Sequence, residues 1–194
     1  MHPVNSRQST VDNQHSTINN QSAINNQQST INPQSAFRNP QFTMYSTTLF
    51  LHSWIRWFAI IAVVGTTFAA VMGRVQSENS PADRWGLFAM TALDIQLLLG
   101  LLLYLVVSPN MAEIRAHFGE AMRTPQLRFW AVEHLSAMLG AVILAHVGRV
   151  LARKAATPQK KRARLIVCFG AATILIILGT PWPGMPAGRP LFRV

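Results

Sequence analysis

Residues 94–107 read DIQLLLGLLLYLVV, and this stretch decides the fold class. A helix on the surface of a soluble protein carries polar side chains on one face, every three or four positions. After Gln96 this stretch has none of that periodicity, and its side chains are apolar in every direction around a helix. Because backbone groups in hydrocarbon must be satisfied within their own segment, an apolar run of this kind predicts a transmembrane helix.

Four such apolar runs divide the chain, at residues 49–73, 85–108, 129–152 and 165–182. A helix needs about 20 residues, at 1.5 Å per residue, to cross about 30 Å of hydrocarbon. Each run is close to or above that length. The sequence therefore predicts an all-α integral membrane protein, a four-helix bundle with four spans.

The charge balance of the chain is strongly basic, with 17 Lys and Arg against 7 Asp and Glu. The basic residues gather beside the apolar runs, which is typical of topology signals at a membrane surface and argues against a nucleic-acid partner. The single cysteine, Cys168, lies inside an apolar run. The sequence therefore offers no disulfide framework and no thiolate metal site.

Residues 1–43 differ in composition from the rest of the chain. Of these 43 residues, 25 are Asn, Gln, Ser or Thr, arranged as a degenerate repeat with no apolar periodicity. Such a segment cannot bury enough apolar surface to offset its ordering entropy, so we expect a disordered tail before a transmembrane domain at 44–194. Of the two interpretations, we favour the one in which Met44 is the true start and the repeat is translated upstream DNA; the alternative is a disordered tail that belongs to the protein.

The connection between the third and fourth runs indicates the orientation. It holds seven positive charges, at Arg149, Arg153, Lys154, Lys160, Lys161, Arg162 and Arg164. Because cytoplasmic loops concentrate Lys and Arg, loops 74–84 and 153–164 are predicted to be cytoplasmic and both termini external.

Ionisable residues at membrane depth are functional candidates, because placing them there is costly. Six fall within or beside the apolar runs: His52, Arg56, Asp94, Glu133, His134 and His146. The directions of the spans place His52 and His134 at similar depth in the outer half. Asp94 and His146 are both placed in the inner half, where we interpret them as a buried, hydrogen-bonded polar pair.

The outer group suits a haem. Two histidines from different helices at matching depth can supply both axial ligands of a b-type haem, so His52 and His134 are the predicted iron ligands. Arg56 and Arg128 are predicted to bind the propionates. The competing interpretation is structural, with Arg56 and Glu133 forming an ion pair that joins two helices.

Several motifs together resemble one family of small four-span bacterial membrane proteins, frequent in Bacteroidetes and often labelled cytochrome B-like. The resemblance covers residues 45–194, and its motifs are LHSWIRW at 51–57, DIQLLLGLLLY at 94–104, RFWAVEH at 128–134, HVGR at 146–149 and GTPWPGMPAGRPLFR at 179–193. It implies a bacterial cytoplasmic membrane protein whose family histidines fall on His52 and His134.

Three functions remain open at the level of sequence. The first is a haem b protein that passes electrons to a quinone or a partner subunit, as a carrier more than a stand-alone enzyme. The second is a non-catalytic accessory or assembly subunit of a membrane complex, in a homo- or hetero-oligomer. The third is a small transporter or sensor that uses Asp94 and His146.

Overall fold

The computed structural model of the chain describes residues 40–76 and 79–191. All regular structure in these residues is helical, which confirms the predicted all-α fold class. Most of the predicted tail, residues 1–39, lies outside the described residues. The first helix begins at Pro40, ahead of Met44, and Met44–Val194 form one compact unit.

Six helices follow one another along the described chain. Helix α1 is Pro40–Val71, α2 is Pro81–Val107, and the short helices α3 and α4 are Pro109–Ala116 and Phe118–Ala121. Helix α5 is Pro125–Arg153 and α6 is Pro158–Gly179. The last five residues of α2, Leu103–Val107, and residues Phe129–Glu133 of α5 form single π-helical turns. Helices α1, α2, α5 and α6 are each long and apolar enough to cross a membrane, so the predicted four spans are all present.

Most of these helices begin in the same way, with Ser or Thr followed by proline. The dipeptide occurs at the starts of α2, α3, α5 and α6, as Ser80-Pro81, Ser108-Pro109, Thr124-Pro125 and Thr157-Pro158. Proline fits the first helical position because it lacks an N–H that would go unsatisfied there. The hydroxyls of Ser80, Ser108 and Thr157 accept from an N–H of the first turn, whereas Thr124 makes no such bond. At Ser80 the cap is reciprocal, since Asp83 accepts from the Ser80 backbone N–H.

Contacts between the four spans place them in cyclic order α1, α2, α5, α6. Gly65 of α1 packs against the Trp85 ring of α2, and Thr67 of α1 shares a 3.4 Å hydrogen bond with Thr173 of α6. Helices α5 and α6 approach each other closely at Gly148, where an added Cβ would overlap Cys168. Successive spans are therefore neighbours, and α1 and α5 face each other across the bundle.

The side chains are distributed as expected for a protein in lipid. The core consists largely of alanine, which lets the backbones approach closely, while large apolar side chains point outward. The outward-facing side chains include Phe58, Leu98, Val106 and Val167, each at least 66% exposed. Four apolar helices with an apolar outer surface are the features of a multi-pass membrane protein.

The end of the bundle at loops 72–80 and 154–157 is here called the basic end. Lys161 pairs with Asp83 at 2.6 Å, and Arg149 donates to the Asp83 carbonyl at 2.7 Å. Arg162 and Arg164 donate to the Val71 and Leu151 carbonyls near the ends of α1 and α5. Arg149, counted above among the loop charges, is therefore buried inside the bundle and holds α2 to α5.

The opposite end is here called the histidine end, and it carries segments of the chain that are not part of the four spans. Helix α6 ends at Gly179, short of the predicted residue 182, because Thr180 is extended ahead of Pro181. The segment 180–191 then folds back on itself, with Arg189 N–H donating to the Pro181 carbonyl at 3.1 Å. Helices α3 and α4, which the hydropathy pattern did not predict, lie between the second and third spans.

Candidate functional site

The two outer histidines lie at the histidine end on helices that face each other. His52 is on α1, and His134 follows directly after the π-helical turn of α5. The centres of the two imidazole rings are 6.4 Å apart, and the ring planes are inclined at 69°. The structure thus brings together the pair that the sequence singled out.

The orientation of His134 is fixed by the end of α6. Its Nδ1 lies 2.7 Å from the Gly179 carbonyl, one of the terminal carbonyls that have no partner within the helix. Because a carbonyl can only accept, Nδ1 carries the proton, and Nε2 of the neutral ring presents a lone pair. A backbone carbonyl on the other ring nitrogen is the usual companion of a metal-binding histidine.

His52 is positioned by two residues of α2 that lie four apart. Gln96 donates from Nε2 to the His52 carbonyl at 2.9 Å. Gly100 leaves space for the ring, since a Cβ there would lie 3.2 Å from His52 Cε1. Neither residue was predicted from the sequence to belong to the site. A glutamine and a glycine one turn apart within an apolar run could have indicated it.

Two buried polar atoms beside these histidines are unsatisfied. His52 Nδ1 and Gln96 Oε1 have no hydrogen-bond partner among the described residues. Such atoms are rare in native interiors, and where they occur they call for an explanation such as a bound group. Their position next to the facing imidazoles makes this corner of the bundle a candidate binding site.

A cavity of about 620 Å³ opens around the two rings. This volume is within the about 300–1,000 Å³ of pockets for small molecules and cofactors. Its walls are mostly apolar, and they come from the four spans, from α3 and α4, and from residues 186–190. The imidazoles of His52 and His134 come from opposite walls of the cavity, and Glu113, His117 and Glu120 line it near α3 and α4.

The predicted arginines occupy different places. Arg56 lines the cavity and donates to the Leu191 carbonyl at 2.7 Å, whereas Arg128 is outside the lining and pairs with Glu133 at 2.6 Å. The Arg128–Glu133 pair is about half exposed, and the ion pair that the structure describes for Glu133 is with Arg128 and not with Arg56.

Arg189 is a further cation at the cavity that the sequence interpretation missed. It lines the cavity, and its guanidinium lies 5.3 Å from the centre of the Trp130 ring. Its place depends on the fold-back of segment 180–191, which no periodicity indicates.

The Asp94–His146 pair, predicted to be buried in the inner half of the membrane, lies on the outer surface of the bundle, because both side chains are about half exposed. His146 Nε2 is 3.5 Å from Asp94 Oδ1, the predicted partner, and the side chains are 40% and 53% exposed. Asp94 and Gln96 are two residues apart and so on nearly opposite faces of α2. Gln96 faces the histidine site, while Asp94 faces the surroundings of the chain.

The number of possible protein ligands distinguishes this site from common metal-ion sites. No group of three or more His, Cys, Asp or Glu in residues 40–76 and 79–191 is arranged to hold a metal ion. A zinc site uses three or four protein ligands, whereas a haem iron needs only axial ligands from the protein. Two facing imidazoles in a cavity of this size fit the second case.

No protein-family model, curated protein or solved structure matches this chain, so the assignment of the site rests on its own residues and geometry.

Proposed function

We propose that this protein binds b-type haem between α1 and α5, with His52 and His134 as axial ligands, and that it carries electrons in the membrane. One observation carries the proposal: the centres of the two rings lie 6.4 Å apart, with the rings edge-on to each other, and both rings line one cavity. Two imidazoles on opposite sides of one iron hold their nitrogens about 4 Å apart and their ring centres about 6 Å apart.

The residues around the rings have separate roles in this proposal. The Gly179 carbonyl keeps the proton of His134 on Nδ1 and so leaves Nε2 able to bind iron. Gln96 and Gly100 hold the backbone and the ring of His52 in place.

Two positively charged side chains line the cavity, and they favour a ligand that has a negatively charged edge. Arg56 and Arg189 both line the cavity, and guanidinium groups form strong charge-assisted hydrogen bonds with carboxylates. We therefore assign the propionates to Arg56 and Arg189 in place of the Arg56 and Arg128 predicted from sequence, because Arg128 lies outside the lining and pairs with Glu133.

Bound haem would supply a one-electron iron couple, with a potential set by the axial ligands and their hydrogen bonds. We propose a membrane quinone or another subunit as the electron donor and acceptor, because residues 40–76 and 79–191 contain no group of three or more metal-ligating side chains that could hold a further redox metal.

The test is an absorption spectrum of the full-length protein purified from membranes, oxidised and then reduced. We expect the bands of a six-coordinate b-type haem. His52→Ala and His134→Ala should each abolish the reduced-minus-oxidised difference. His146→Ala, which removes an imidazole on the outside of the bundle, should retain it.

Folding of the histidine variants is checked by their elution as a single species and by their thermal melting. A purified protein that shows no haem bands even after incubation with haem would overturn the proposal. Bands that persist in both well-folded histidine variants would also overturn it.

A further inference from the structure

The second span is the least covered by the rest of the chain. In the most apolar 18-residue stretch of each span, 11% of the residues are buried in α2, against 33% in α1, α5 and α6. Its exposed side chains include Leu87, Asp94 and Leu98, which lie on one side of the helix. Helix α2 therefore presents a broad face to its surroundings.

This face includes a polar pair within the spans. Asp94 is at the midpoint of Pro81–Val107, and it meets His146 of α5 at 3.5 Å. Both side chains remain about half exposed. Ionisable residues within membrane spans almost always face a protein interior or a water-filled cavity, so direct contact of this pair with lipid is unfavourable.

We propose that a second copy of this chain covers the α2/α5 face, which consists of Asp94, His146 and the neighbouring Leu87, Leu98, Ile143 and Val150. The four apolar side chains are each at least 49% exposed and flank the polar pair on its two helices. In the dimer they pack against the same residues of the other copy.

The chemistry of the pair indicates a second copy as the occupant. A two-fold interface brings residue i against residue j and residue j against residue i, so the face must be complementary to itself. His146 Nδ1 is held by the Val142 carbonyl of its own helix at 2.9 Å, so Nε2 is the ring nitrogen that faces Asp94. A carboxylate beside an imidazolium meets this condition: as an imidazolium, His146 of one copy can donate from Nε2 to Asp94 of the other, and the reverse.

The depth of the two residues agrees with this symmetry. Because Asp94 and His146 touch within one chain, they lie at one level of the membrane. A two-fold axis along the membrane normal relates copies with the same orientation and keeps each residue at its level. The two pairs therefore meet as a four-membered polar cluster away from lipid.

The experiment is disulfide cross-linking in native membranes with the full chain at its normal expression level. Leu98→Cys places a thiol on the α2/α5 face, and Ile174→Cys places one on the exposed side of α6; the two positions are 69% and 60% exposed. Both carry Cys168→Ala, which removes the native thiol. With copper phenanthroline we expect at least ten-fold more covalent dimer for Leu98→Cys.

A charge exchange tests the pair itself. In the Leu98→Cys chain, Asp94→Ala should lower the dimer yield several-fold. Exchange of the two residues, Asp94→His with His146→Asp, keeps the face self-complementary and should restore the yield. This restoration separates the pairing from a general loss of folding.

Three results would overturn the proposal. They are equal cross-linking at both positions, cross-linking of Leu98→Cys mainly to a different protein, and no covalent dimer together with a monomeric mass in lipid nanodiscs. None of these readouts depends on haem, so this proposal and the proposed function can fail separately.

Discussion

At the scale of single residues, the histidine site depends on backbone groups, which a pattern of side-chain types does not reveal. His134 is oriented by the Gly179 carbonyl, which is available because α6 ends there. The two histidines could be predicted, because ionisable residues are rare inside apolar runs and the span directions put them at one depth. The carbonyl could not be predicted, since every residue has one and only the helix end leaves this one free.

Gly100 provides the sharpest test of a single position. A Cβ there would lie 3.2 Å from His52 Cε1, so Gly100→Val should push the His52 ring out of place. Overpacking of this kind lowers the free energy of unfolding by about 1–3 kcal/mol. The reduced-minus-oxidised haem spectrum of the variant should also be weakened or lost.

The matched control is Gly170→Val on α6, where an added Cβ meets nothing within 4 Å. It makes the same chemical change in another membrane span. Thermal melting and the haem spectrum of the control should stay near those of the original protein. Equal effects at the two glycines would mean that Gly100 has no special relation to His52.

At the scale of elements, the number and type of the spans followed from hydropathy, but their ends did not. The predicted runs began at 85, 129 and 165, whereas the helices begin at Pro81, Pro125 and Pro158. Apolar runs mark the part of a helix that lies in hydrocarbon, and the first turn outside it is often polar. The Ser-Pro and Thr-Pro dipeptides mark the true starts, because proline lacks the N–H that would be unsatisfied at the first helical position and three of the four hydroxyls accept from a first-turn N–H.

The helix caps give a prediction with its own control. Thr157 caps α6 by accepting from the Lys160 N–H at 3.3 Å, whereas Thr124 stands at the same position before α5 without a side-chain hydrogen bond. Thr157→Ala should therefore lower the free energy of unfolding by about 1 kcal/mol, and Thr124→Ala by much less.

The measurement is reversible unfolding in mixed micelles, followed by the loss of helical circular dichroism. Both variants replace a threonine that precedes proline, so the change in side-chain size is the same. A larger effect for Thr124→Ala than for Thr157→Ala would contradict the cap that the structure describes.

At the scale of the whole molecule, an even number of spans puts both described chain ends on one side of the bundle. The basic residues at the other side have two effects, one on the structure and one on membrane insertion. Arg162 and Arg164 donate to carbonyls near the C-terminal ends of α1 and α5, where the helix dipole favours positive charge. The same charges resist transfer across the membrane during insertion, which is the physical basis of the predicted orientation.

The last prediction therefore concerns the direction of insertion, read from two cysteines on opposite sides. Ala156→Cys lies in the exposed loop at the basic end, and Gly119→Cys lies on α4 at the histidine end, where an added Cβ meets nothing within 4 Å. Both are made with Cys168→Ala. In intact cells whose outer surface is accessible, a membrane-impermeant maleimide should label Gly119→Cys, and it should label Ala156→Cys only after the membrane is permeabilised. The reverse pattern would place the basic loops outside and the histidine site next to the cytoplasm, so that its electron partners would have to be sought on that side.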